Sequence, residues 1–316
     1  MHSTRLTIIV CILLLTGCVG LNGSWTSEEF RVGTTGLEAR FVENNPPRIV
    51  DEDSPFSIAV DVRNRGAYLA EDIYINVGVE RDYMCINSGD ECVSGINEKI
   101  DEIRGKSQYL PTGDYEILRF NAQTKGLEGQ RTTHRATLLL SKCYKYTTKI
   151  ESEVCINPNE GSDSSHDVCS TSPRTYNNQG APIAVKKVEG RMMVTDGGDK
   201  VKPIITIDIE NAGRGSVIER DKISKFCKGE GVDRYNHNIV YLKELQIGNE
   251  KYIEGSGDNT IECRRPVAEL SRNEGSIVCE FKEGISKGSA AYNARMMAVF
   301  EYGYTESTSR QVEITK

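Results

Sequence analysis

The residues best equipped for chemistry are ten cysteines in a chain of 316. Cys11 lies in an apolar N-terminal run and Cys18 directly follows Leu15-Thr16-Gly17, which leaves eight: Cys85, Cys92, Cys143, Cys155, Cys169, Cys227, Cys263 and Cys279. The chain has no Cys-x-x-Cys pair, and His134, His166 and His237 stand at no ligand spacing from a cysteine. Zinc is therefore disfavoured, and an even number of cysteines behind an export signal argues for disulfides. Cys85 and Cys92 flank a polar turn and close a short hairpin loop. Cys263 and Cys279 flank a second hairpin and are paired on the same ground. Cys143 and Cys155 are expected on consecutive strands about one turn, where they could face each other or take Cys169 or Cys227 as partners, and spacing does not choose.

Other reactive groups form no catalytic constellation. Ser164-Ser165-His166-Asp167 holds the letters of a triad, but four adjacent residues in a polar linker have no scaffold to set triad geometry. Gly-x-Ser-x-Gly, phosphate-binding glycine loops and the paired histidines of a zinc-protease helix are absent. The sequence reads as non-catalytic and needs no cofactor. Asp51-Glu52-Asp53 and Asp196-Gly197-Gly198-Asp199 offer oxygen ligands for calcium without the spacing of a calcium loop, and read as solvated turns. Tyr144, Tyr146, Tyr302 and Tyr304 suggest a sugar-stacking platform, but their matching positions in the two halves favour packing.

Elements that position these residues begin at the N-terminus. Arg5, the apolar run 6–15 and the small-residue site Thr16-Gly17-Cys18 form a signal peptide over residues 1–18. The run is shorter than the roughly 20 residues a spanning helix needs. Leu15-Thr16-Gly17-Cys18 resembles a lipobox, which makes Cys18 the lipidated mature N-terminus and the membrane a partner through that anchor. Residues 19–34 are a polar tether in which Asn22-Gly23-Ser24 fits the N-glycosylation acceptor pattern at Asn22.

Beyond the tether the chain repeats. Residues 57–66, ending Asn64-Arg65-Gly66, have a counterpart in residues 204–213, ending Asn211-Ala212-Gly213. In both, β-branched residues alternate with polar ones, the mark of a strand with one buried face, and Asn-x-Gly ends the run in a turn. Cys143-Tyr144-Lys145-Tyr146-Thr147 and Glu301-Tyr302-Gly303-Tyr304-Thr305 repeat near the end of each half, each before a separate closing strand. A duplicated all-β unit follows, with β-sandwich domains at 35–157 and 181–316 and a linker at 158–180 rich in Ser, Asn, Gly and Pro. Short helices are expected at 96–104, where Ile96, Ile100 and Ile103 share a helical face, and at 220–226.

A formal charge of −7 and a pI near 5.4 exclude the basic face that nucleic acid needs. Mean hydropathy of −0.44 with 27% charged residues fits a body that folds in water. Asn45-Pro46-Pro47, the acidic turn and Asn64-Arg65-Gly66-Ala67, together with Asn211-Ala212-Gly213-Arg214-Gly215 and Glu301-Tyr302-Gly303-Tyr304, resemble the CARDB class of Ig-like domains of exported prokaryotic proteins. Over nearly the whole mature chain the sequence also resembles uncharacterised exported archaeal proteins in which Gly180-Ala181-Pro182-Ile183-Ala184-Val185 opens the second sandwich. The cysteine-bearing insertion 82–109 departs from that pattern. The resemblance implies two tandem Ig-like sandwiches displayed outside the membrane, with no catalytic residues to carry over. The expected role is a surface-tethered structural or adhesion module whose partner is a cell-envelope protein or a surface glycan. The alternatives are a carbohydrate- or solute-binding lipoprotein and a surface-appendage subunit.

Overall fold

The computed structural model describes residues 30–159, 169–195 and 197–316. The signal peptide, Cys18, Asn22, the Ser164-Ser165-His166-Asp167 run and Asp196 lie outside the described residues.

The first half contributes β1 (Leu37–Phe41), β2 (Ile49–Asp51), β3 (Pro55–Asn64), β4 (Ala70–Val79), β5 (Met84–Ser88), β6 (Glu91–Val93), β7 (Gly95–Ile103), β8 (Tyr115–Thr124) and β9 (Thr133–Ile156). The second begins with β10 (Arg174–Thr175), β11 (Ile183–Val194), β12 (Lys200–Asn211) and β13 (Ser216–Ile218). A 3-10 turn (Arg220–Lys222) runs into α1 (Ile223–Cys227). Then come β14 (Ile239–Ile247), β15 (Glu250–Ile253), β16 (Ile261–Cys263), β17 (Val267–Glu269), β18 (Glu274–Phe281), β19 (Ile285–Ser286) and β20 (Tyr292–Thr315). The fold is all-β, as the alternating patterns require.

Each half has its own sheet, ordered β1-β3-β8-β5-β6 in the first and β10-β11-β12-β18-β16 in the second. A third, nine-stranded sheet belongs to both, with the path β15-β14-β20-β9-β4-β7. Its middle is the antiparallel pair β9 and β20, in register from Thr133↔Thr315 to Ile156↔Tyr292. At its centre Lys145 faces Gly303, Tyr144 pairs with Tyr304 and Tyr146 pairs with Tyr302. The first tyrosine of each half thus meets the second tyrosine of the other, as in a self-complementary two-fold interface. β2 adds a parallel bridge across the seam to the end of β20. One apolar core runs through both halves, from Leu37, Ile58 and Val60 to Ile207, Phe300 and Ile314.

Three expectations are corrected. The stretch 133–156 is one strand, not a strand, turn and closing strand, because neither glycine nor proline interrupts it. Cys143 and Cys155 therefore sit far apart along β9, about 40 Å at ~3.3 Å per residue, and cannot pair. Residues 95–103 form β7, not a helix. Pairing with β4 goes from Glu71↔Glu102 to Ile73↔Ile100, passing over Asp72 and Asp101. That irregularity shifts the alternation, so Ile100 and Ile103 are both buried and a strand imitates helical spacing. The 220–226 expectation matches the 3-10 turn and α1.

Candidate binding surface

The eight cysteines form four disulfides: Cys85–Cys92, Cys263–Cys279, Cys155–Cys169 and Cys143–Cys227. Cys85–Cys92 closes the β5–β6 hairpin, and Cys263 lies directly across from Cys279 between β16 and β18. Cys155–Cys169 pins the linker to the end of β9, and the linker then docks as β10 on β11. Cys143–Cys227 ties α1 of the second half to the central strand of the first.

The four repeated tyrosines are core residues, each exposed by 2% or less. Tyr146 Oη donates to Asn64 Oδ1 and accepts from the Tyr68 amide, while Asn64 Nδ2 donates to the Tyr68 and Ile103 carbonyls. The second half repeats the corner: Tyr304 Oη donates to Asn211 Oδ1 and accepts from the Gly215 amide, and Asn211 Nδ2 donates to the Gly215 carbonyl. A Cβ at Gly66 would stand 2.0 Å from the Tyr146 hydroxyl, and one at Gly213 2.2 Å from that of Tyr304. The glycine of each Asn-x-Gly is thus required by the hydroxyl packed on it. Burial raises all four phenols above their ordinary range, Tyr304 to about 12. The rings have no open face to stack a sugar.

Over the seam, residues 216–238 form a strap. β13 pairs with β20, Tyr74 Oη and Ser224 Oγ lie 2.7 Å apart, and the Asn76 and Asn97 amides donate to the Cys227 carbonyl. Gly303 makes room, since a Cβ there would be 2.9 Å from both Ile218 O and Ile223 Cδ1. Beside the strap lies a groove of about 390 Å³ whose lining includes Asp72, Lys145, Arg220, Lys243 and Glu301. Arg220 spans Glu301 at 2.5 Å and both Glu254 oxygens at 2.8 Å, with its guanidinium 4.5 Å from the Tyr241 ring centre. Lys145 meets Asp72 at 2.8 Å and holds that carboxyl below its usual range. These charges satisfy one another within each half, Lys145 with Asp72 in the first and Arg220 with Glu254 and Glu301 in the second.

The acidic turn is likewise engaged from within. Glu52 Oε2 accepts the Leu127 amide at 2.7 Å and Asp51 Oδ1 accepts the Thr315 hydroxyl at 3.0 Å. Among the described residues no group of three or more His, Cys, Asp or Glu side chains is arranged to hold a metal.

The two outer faces differ. On β12, Asp208 pairs with Lys187 at 3.1 Å and Glu210 with Lys186 at 3.9 Å, while Glu189 takes Lys187 and Arg191. On β3 the corresponding Asp61 receives two guanidiniums, Arg40 at 3.0 Å and Arg63 at 3.9 Å, and Arg63 stacks 4.5 Å from the Tyr115 ring centre. Tyr115 and Ile117 on β8 are 54% and 43% exposed. This arginine and aromatic surface escaped the sequence reading because its members come from three strands and meet only through register.

No family model and no curated protein matches the chain. Two solved structures are similar in part. One is AvmM, which catalyses macrocyclization in alchivemycin A biosynthesis, 13% identical over 34% of this chain and 74% of that one, with a TM-score of 0.21. The other is a biofilm-associated protein B domain, 7% identical over 86% of this chain and 73% of that one, with a TM-score of 0.13. At these scores neither likeness carries an argument about this chain.

Proposed function

We propose that this protein is an exported, N-terminally tethered structural or adhesion module of the cell envelope, built as a doubled Ig-like sandwich and without a catalytic role. The observation that carries the reading is the β9–β20 seam, which joins the halves through one sheet. A body held this way presents its faces in fixed relation, as a spacer or adhesive module requires and a flexible tandem does not supply. Four disulfides suit an oxidising compartment, where they offset the entropy of ordering loop-rich domains. The lipobox-like Leu15-Thr16-Gly17-Cys18 supplies the anchor.

Cross-linking on intact cells, followed by mass spectrometry of a digest kept unreduced, tests this directly. The expected result is a lipidated Cys18 peptide, disulfide-linked peptides and recurrent links from one face to an envelope component. Recovery of the protein from the cytosol with its thiols reduced would overturn the proposal.

A further inference from the structure

The outer face of the first half's sheet carries an unbalanced charge. Cross-strand register sets Glu38, Arg63 and Tyr115 in one row and Arg40, Asp61 and Ile117 in the next, with Arg119 beyond them opposite Ala59. Glu38 is taken by Arg65 at 3.0 Å. Asp61 is shared between Arg40 and Arg63. Arg119 is exposed and has no ion pair among the described residues. Guanidinium therefore exceeds carboxylate on this face, although the chain as a whole carries −7. Two buried polar atoms here also lack a hydrogen-bond partner, the donor Arg63 Nε and the acceptor Asp61 Oδ1. Both atoms lie beneath the surface, so what the face offers a ligand is its exposed groups: Arg40, Arg119, Tyr115 and Ile117.

We infer that this face docks an acidic polysaccharide, one whose sugar units carry carboxylates. Guanidiniums take carboxylates through paired hydrogen bonds, and the half-exposed Tyr115 and Ile117 offer an apolar bed for the C–H face of a sugar ring. An extended acidic peptide fits less well, because its main chain needs the open edge of a strand and the face of a sheet presents only side chains. The inference rests on the adhesion reading and names its ligand.

The test is binding of polygalacturonate to the full-length protein, purified from membranes in mild detergent. Dextran of matched length serves as the neutral polymer and polyglutamate as the acidic peptide. Saturable binding of polygalacturonate is expected, weakening with salt, falling about tenfold in Arg119→Glu as a guanidinium–carboxylate contact is replaced by repulsion, and weakening also in Tyr115→Ala. Both positions are exposed, so folding is retained, and Lys202→Glu on the other half's sheet should leave binding unchanged. Absence of binding, equal binding of polyglutamate or dextran, or affinity unchanged in Arg119→Glu would each overturn the inference. Envelope cross-links found without polygalacturonate binding would sink this assignment and leave the adhesion module standing.

Discussion

The two halves repeat one corner and diverge at their surfaces. Asn64 and Asn211 occupy the same place and each meets a tyrosine from its own half's long strand. Asn64 is fully buried and makes four hydrogen bonds, to Tyr68, Ile103, Gly66 and Tyr146. Asn211 is partly buried and makes three, to Gly215, Gly213 and Tyr304. Outside the corner, Asp61 sits among arginines while Asp208 sits in a balanced lattice of lysines and glutamates. The second half extends a strap over its neighbour, whereas the first reaches across the seam through the short strand β2. The two halves thus share the contacts that satisfy their buried polar corners and differ in the charges on their outer faces.

The strap gives the largest way to break this asymmetry. Cys143–Cys227 closes a separation of 84 residues, so replacing both cysteines by alanine should cost roughly 4 to 5 kcal/mol on the chain-entropy account. Cys85–Cys92 closes only 7, and its removal should cost roughly 2 to 3 kcal/mol. Urea unfolding of the two double variants compares them, and equal losses would mean the strap adds no constraint beyond a local loop.

The corners come next. Asn64→Ala strands buried partners and is expected to cost about 3 kcal/mol, against about half of that for the less buried Asn211→Ala. Thermal unfolding that ranked them in the reverse order would contradict the accessibility difference.

Alkaline pH acts on both corner tyrosines, Tyr146 and Tyr304, and on their core neighbours Tyr144 and Tyr302. Burial raises the phenols of Tyr144, Tyr146, Tyr302 and Tyr304, so the folded chain keeps protons that the unfolded chain gives up near pH 10. Their contribution is complete below that pH and is lost as pH rises toward the folded-state values. By pH 11 each still-protonated ring should have lost about 1.4 kcal/mol, a decline that stability curves between pH 9 and 11 would register. The smallest effect is on the outer face, where Arg119→Glu should change stability by less than about 0.5 kcal/mol while altering what the face binds. A larger loss would assign Arg119 a structural role.

What the sequence disclosed follows the same division. Alternation in 57–64 and 204–211, the Asn-x-Gly turns and the Cys85–Cys92 and Cys263–Cys279 pairings were legible because each is local, although β17 leaves for β14 between Cys263 and Cys279 and the expected second hairpin is not formed. The partners of Cys143 and Cys155 were not, since they depend on β9 being one strand and on where α1 lies in space. β7 was misread because the irregularity at Asp72 and Asp101 shifts its alternation toward a helical spacing. The tyrosine repeat marked the core correctly, yet the seam was invisible, because pairing of β9 with β20 joins residues more than a hundred positions apart. The arginine face required the register of three strands.

The central claim is that β9 and β20 join the halves into one body. Native-state hydrogen exchange on the full-length protein, read at the amides of residues 143–148 and 300–305, addresses it most directly. Exchange there only through global unfolding, at the same free energy as the core strands β3 and β12, is the predicted result. Seam amides that exchange well before those of β3 and β12 would show that the halves separate while each remains folded, and would contradict the account.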